Sequence, residues 1–159
     1  MPSLASDGEC GWAVTLLVKL FAGVLRFVRL GQPDSTLTDK GALEGPGYIF
    51  DEVYYACDAH NLITKGVELH ATSGGGTFCI ADKDSAFVVH PPLGKVFIGL
   101  GEQLFGFNTI GWRVAAALFG TLTVLLVVRV GRRMLGSTLL GAVAGVLLSL
   151  DGLHFVQSR

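Results

Sequence analysis

The chain has 159 residues, half of them hydrophobic and only 16% charged, and its mean hydropathy is +0.55. A soluble domain of this size is ordinarily less apolar and more charged. The formal charge of −1 is uninformative as a sum, but no basic stripe exists that would suit nucleic acid. Cysteines 10, 57 and 79 give no metal-ligand spacing.

In chain order, a tail over 1–11 precedes a mostly apolar run, 12–30, interrupted by Lys19, Arg26 and Arg29. At about 1.5 Å per residue the run is long enough for one membrane crossing. The tail carries Asp7 and Glu9 but no Lys or Arg, and no small-residue cleavage pattern follows, which argues against a cleaved signal peptide.

Residues 31–109 read as a loop between spans. Its part 31–92 holds nine acids against three bases. Segment 33–48, rich in Gly, Pro, Ser, Thr and Asp, reads as irregular. A helix near 52–65 follows, with Asp51 suited to its N-cap, Glu52 to its first turn and Gly66 to its end. Val53, Ala56, Cys57, His60 and Ile63 share one weakly apolar face, and Tyr54, Asp58, Asn61 and Lys65 share another. Such a helix is too short and polar to span, so it reads as interfacial, with tyrosines at headgroup depth. Thr72 to Thr77 reads as flexible linker. Pro91-Pro92 breaks the chain and opens a second interfacial helix near 92–107, carrying Lys95, Glu102 and Gln103. Cys57 and Cys79 share the loop and pair if it faces an oxidising compartment; otherwise they are two small thiols.

A second span, 110–130, has Arg113 as its only charge before Arg129. A turn over 131–134 leads into a third, 135–159, whose Gly141, Ala142, Ala144 and Gly145 allow close helix approach. Arg129, Arg132 and Arg133 assign that turn to the cytoplasm. The N-terminus is then cytoplasmic and the acidic loop extracytoplasmic. Arg26 and Arg29 fall at the outer end of the first span, against the charge rule. They either snorkel or bind an anionic headgroup.

Ionisable residues thus gather beside a membrane. Asp51 and Glu52 diverge by about 100° on a helix, so they suit two separate roles rather than one shared proton; a plain helix cap also explains Asp51. His90 is a base or ligand, or a hydrogen-bonded structural residue. Lys95 reaches a phosphate or snorkels. Arg113 is functional at membrane depth or an interfacial anchor. Asp82-Lys83-Asp84 resembles the acidic pair of soluble glycosyltransferases but also suits a solvated turn. His60, Glu68 and His70 lack ligand spacing. Asp151, His154, Gln157 and Arg159 form the polar end of the third span.

Several stretches, taken in order, resemble the N-terminal part of the protein O-mannosyltransferases, or dolichyl-phosphate-mannose–protein mannosyltransferases, of the membrane-embedded glycosyltransferase C superfamily. They are Leu25-Arg26-Phe27-Val28-Arg29-Leu30-Gly31, Phe50-Asp51-Glu52-Val53-Tyr54-Tyr55, Val89-His90-Pro91-Pro92-Leu93-Gly94-Lys95, Gly111-Trp112-Arg113-Val114, and the final run from Leu150 to Arg159. Tyr54-Tyr55 resembles the bacterial branch, and the link 34–48 is longer than the family's usual one. The resemblance implies an all-α polytopic membrane protein, of which this chain is an N-terminal fragment with the third span truncated. It implies inverting transfer of mannose from a polyprenyl-phosphate-mannose donor to Ser or Thr hydroxyls of exported polypeptides, without metal or other cofactor. Asp51 is then the base, Glu52 orients acceptor or base, and Arg113, Arg26, Lys95 and His90 serve the donor phosphate. The expected setting is the plasma membrane of a bacterium, in association with protein export machinery. A sibling enzyme acting on a lipid or glycan, and a non-catalytic scaffold or transporter, are the alternatives.

Overall fold

The computed structural model describes residues 8–33, 36–37, 43–44, 52–68, 71–73, 76–78 and 90–158. Asp51, His70, Cys79, Asp82-Lys83-Asp84 and Arg159 lie outside the described residues. The described chain is mostly helical. Its elements in order are α1 (Glu9–Phe27), β1 (Thr36–Leu37), β2 (Leu43–Glu44), α2 (Glu52–Lys65), β3 (Ala71–Ser73), β4 (Gly76–Phe78), α3 (Pro92–Phe105), α4 (Thr109–Leu135), α5 (Thr138–Leu150) and α6 (Gly152–Gln157).

The mostly helical expectation stands, and among the described residues four short strands accompany the helices. β1 pairs with β2 and β3 with β4, both antiparallel. Ala71 faces Phe78, Thr72 faces Thr77 and Ser73 faces Gly76, so the described residues of the stretch read as flexible linker pair as strands.

The chain divides into two compact units. The first holds residues up to Arg29 and those from Ala116 onward. Val18 and Ala22 of α1 pack with Val124 and Val128 of α4, flanked by Ala142, Val146 and Leu148 of α5. Small residues make this approach possible: a Cβ on Gly141 would run into the α4 backbone, and one on Gly145 into Val128. Thr15, Thr121 and Ser149 return their hydroxyls to carbonyls four residues earlier, which satisfies polar groups inside an apolar bundle. At the other end of α1, Trp12 lies under the Arg129 guanidinium, 3.8 Å from ring centroid to Cζ.

Outward faces carry Leu16, Leu17, Leu20 and Phe21 on α1 and Leu118, Phe119, Leu122 and Leu126 on α4, all exposed. α1 and α4 are both long and apolar enough to cross a membrane, yet only 28% and 33% of their apolar windows are buried. Core helices of a soluble protein would hide far more.

Two boundaries differ from the sequence reading. The turn expected over 131–134 is helical, because nothing in Arg132-Arg133-Met134-Leu135 breaks a helix; the reversal comes at Gly136, with φ of 62°. The third apolar stretch is two helices. Asp151 is extended, and its carboxylate caps α6 by accepting from the His154 amide at 2.7 Å.

The second unit covers Leu30–Ala115. α2 ends at Gly66, with φ of 76°, and α3 at Gly106, with φ of 87°. α2 does not lie free on a surface: Ala56, Cys57, Asp58, Ala59 and Asn61 are buried, and α2 packs along α3. Gly99 permits it, since a Cβ there would strike Ile63 and the Ala59 carbonyl. Cys57 is disulfide-bonded, whereas Cys10 is free and exposed.

Candidate active site

Asn108 sets the start of α4. Its Oδ1 accepts from the amides of Ile110 and Gly111, each at 3.0 Å, and its Nδ2 donates to the Phe105 carbonyl at 2.7 Å. This cap places Arg113 in the second turn, where it is 1% exposed. Its guanidinium grips Glu52 with two prongs, Nε to Oε1 at 2.6 Å and Nη2 to Oε2 at 2.7 Å. Nη1 donates to the carbonyls of Leu30 at 3.2 Å and Gln32 at 3.0 Å. The planar fork thus ties the first residue of α2 to α4 and to the segment after α1, a geometry that lysine cannot reproduce.

Arg113 was expected to receive a phosphate, but its fork is engaged by a carboxylate. Lys95 is likewise engaged. It is 2% exposed and donates to Asp58 at 3.0 Å and Glu68 at 2.5 Å. Burial alone would lower its pKa; the hydrogen bonds and charges of Glu68 and Asp58 outweigh that, so the ammonium stands above the ordinary lysine value. His90 is exposed beside Tyr55, with ring centroids 5.4 Å apart. Arg26, in the other unit, is buried against Ser158, His154 and the Ala22 carbonyl.

Three features escaped the sequence reading. The first is the pairing of Asp58 and Glu68 with Lys95; an acid-rich loop with few bases was the available sign. The second is Glu102, 4% exposed, with no hydrogen bond to either carboxylate oxygen among the described residues. Desolvation raises its pKa to about 8. His60 Nδ1 lies 3.7 Å from it, with its own pKa lowered by burial and then by Lys65. The third is the link from α1 to α6 through Arg26. Among the described residues, no group of three or more His, Cys, Asp or Glu could hold a metal ion.

Residues 89–159 match the family described as dolichyl-phosphate-mannose-protein mannosyltransferase. A curated polyprenol-phosphate-mannose–protein mannosyltransferase of Mycolicibacterium smegmatis is 42% identical over 154 residues, 96% of this chain and 26% of the relative. Nearly the whole chain is thus similar to part of a protein named as a protein mannosyltransferase. A like-named mannosyltransferase of Mycobacterium tuberculosis is 45% identical over 94% of this chain and 25% of its own length. One of Corynebacterium glutamicum is 35% identical over 93% of this chain and 25% of its own length. The chain spans about a quarter of the length of the mannosyltransferases it matches. No solved structure matches it.

Proposed function

We propose that this chain contributes to an enzyme transferring mannose from a polyprenyl-phosphate-mannose donor to Ser or Thr hydroxyls of exported proteins. The reaction inverts the anomeric centre and needs no metal. The carrying observation is the two-pronged grip of Arg113 on Glu52. A carboxylate fixed in this way cannot swing freely, so it suits orienting work. Asp51, next in the chain, is then the base that takes the hydroxyl proton as the oxygen attacks the anomeric carbon. The leaving lipid phosphate gains negative charge and needs a cation. Arg26 fits that need better than Arg113 or Lys95, because its partners among the described residues are neutral. His90, exposed beside Tyr55, lines the donor pocket.

The acidic loop lies outside the cytoplasm, with the N-terminus inside and three spans in the plasma membrane, beside the export machinery that delivers acceptors. The disulfide at Cys57 supports this side for the loop, because such bonds persist in oxidising compartments. The test is mannosyl transfer to a Ser/Thr peptide, in membranes carrying the full-length enzyme. Asp51→Asn should cut the rate by roughly 100-fold or more, the usual weight of a positioned base, without lowering its amount in the membrane. Near-normal transfer by Asp51→Asn would remove the base. Transfer by the parent to a lipid or glycan instead of peptide would favour the sibling enzymes.

A further inference from the structure

Arg26 occupies the last turn of α1 with no exposed surface. Its Nε donates to Ser158 Oγ at 2.8 Å, its Nη1 to the Ala22 carbonyl at 3.1 Å, and its Nη2 lies 2.6 Å from His154 Nδ1. A guanidinium has five N–H donors and no acceptor. His154 Nδ1 therefore accepts, which puts the imidazole proton on Nε2 and leaves the ring neutral. Ser158 passes its own proton to the His154 carbonyl, so its oxygen is free to accept from Arg26. Among the described residues, every hydrogen-bond partner of this cation is neutral. A buried cation without counter-charge is costly, and one at membrane depth marks a ligand site.

We propose that Arg26 and His154 form a proton-linked anion site whose ligand is the phosphodiester of a lipid carrier. The inference rests on the reading of Arg26 as the donor-phosphate residue and adds His154 to it. When the anion arrives, His154 Nδ1 takes a proton from solvent and gives up its bond to Arg26 Nη2. The freed Nη2–H and the imidazolium N–H then both donate to phosphate oxygens. One proton is taken up for each anion bound, and no covalent bond changes.

The surroundings suit this exchange. On α6 itself, the Asp151 carboxylate caps the His154 amide and supplies a nearby negative charge for the imidazolium. α1 contributes Arg26, whose charge opposes protonation until an anion offsets it. α5 contains no ionisable residue. On α4, Gly120 packs against Ser158 and Arg26, and Arg129, nine residues further on, is about 13 Å away along the helix.

The test is isothermal titration of the detergent-solubilised full-length protein with farnesyl-phosphoryl-mannose, at both ends of the range from about pH 5 to 8, where histidine titrates. A phosphodiester keeps one negative charge throughout, so the ligand adds no pH dependence. The parent should bind roughly tenfold tighter at the acidic end, about 1.4 kcal/mol, with heats in different buffers reporting proton uptake. His154→Gln, whose amide oxygen can still accept from Arg26, should stay weak throughout. Equal affinity at both ends for the parent, without proton uptake, would overturn the proton link, as would His154→Gln keeping the pH dependence. Arg26→Met should lose binding at every pH, and Arg26→Lys should retain part of it. Full affinity in Arg26→Met would instead bring down the underlying phosphate assignment. Displacement of the probe by an equimolar amount of inorganic phosphate would overturn the lipid-borne source.

Discussion

Glu102 shows how one side chain can make an element pH-sensitive. Its carboxyl is buried on α3, and burial raises its pKa from the ordinary 4.5 to about 8. The titratable group facing it from α2 is His60, at 3.7 Å, with Lys65 acting on His60 in turn. A folded-state pKa above the unfolded one means that the folded protein holds the proton more tightly. Stability therefore falls as pH rises from about 4.5 to about 8, by up to about 1.4 kcal/mol for each pH unit crossed. Glu102→Gln keeps the shape and removes the ionisation. It should flatten the pH dependence of thermal unfolding in detergent and raise the melting temperature above pH 8. An unaltered slope would show that Glu102 does not carry it. Little of this was legible beforehand: a Glu in a helix beside Gln103 reads as a solvated face, and only packing against α2 makes it costly. The Lys95 pairing was hidden for the same reason, since Asp58 and Glu68 are far from it in sequence and α2 had to turn its polar face inward.

At the scale of elements, glycines decide which helices touch. Gly145 of α5 faces Val128 and Val18 so closely that a Cβ would overlap the Val128 side chain. Gly145→Ala should destabilise the first unit by roughly 1–3 kcal/mol, the usual range for overpacking. Gly94→Ala on α3 is the control. Nothing lies within 4 Å of its added Cβ, and alanine is the better helix former by about 1 kcal/mol. Thermal unfolding should separate the two in sign. Stops marked by a glycine at positive φ were readable, as at Gly66, or by proline, as at the start of α3. Boundaries without such a mark were not. Arginine content placed a turn at 131–134, but arginine is a good helix former and the chain turns only at Gly136. Hydropathy carried the third stretch through Asp151, because a single capping carboxylate barely alters an average over apolar neighbours.

For the molecule as a whole, sidedness is the property on which the proposed chemistry depends, and the cysteines offer a test of it. Cys10 is free and exposed at the start of α1, in the part assigned to the cytoplasm. Cys57 is disulfide-bonded on α2, in the loop assigned to the outside. Arg129, Arg132 and Arg133 near the C-terminal end of α4 argue for the same arrangement, because basic residues beside a span stay cytoplasmic. A membrane-impermeant maleimide applied to intact cells should therefore leave Cys10 unlabelled and should label it after permeabilisation. An impermeant phosphine applied to intact cells should open the Cys57 disulfide, giving a mass shift when the protein is then denatured and alkylated. Without the phosphine, Cys57 should resist alkylation even in denaturant. Both cysteines have to answer in the same sense. Labelling of Cys10 from outside would invert the arrangement, placing Glu52 and the rest of the acidic loop in the cytosol, where polypeptides awaiting export have not yet crossed and a structural disulfide would be reduced.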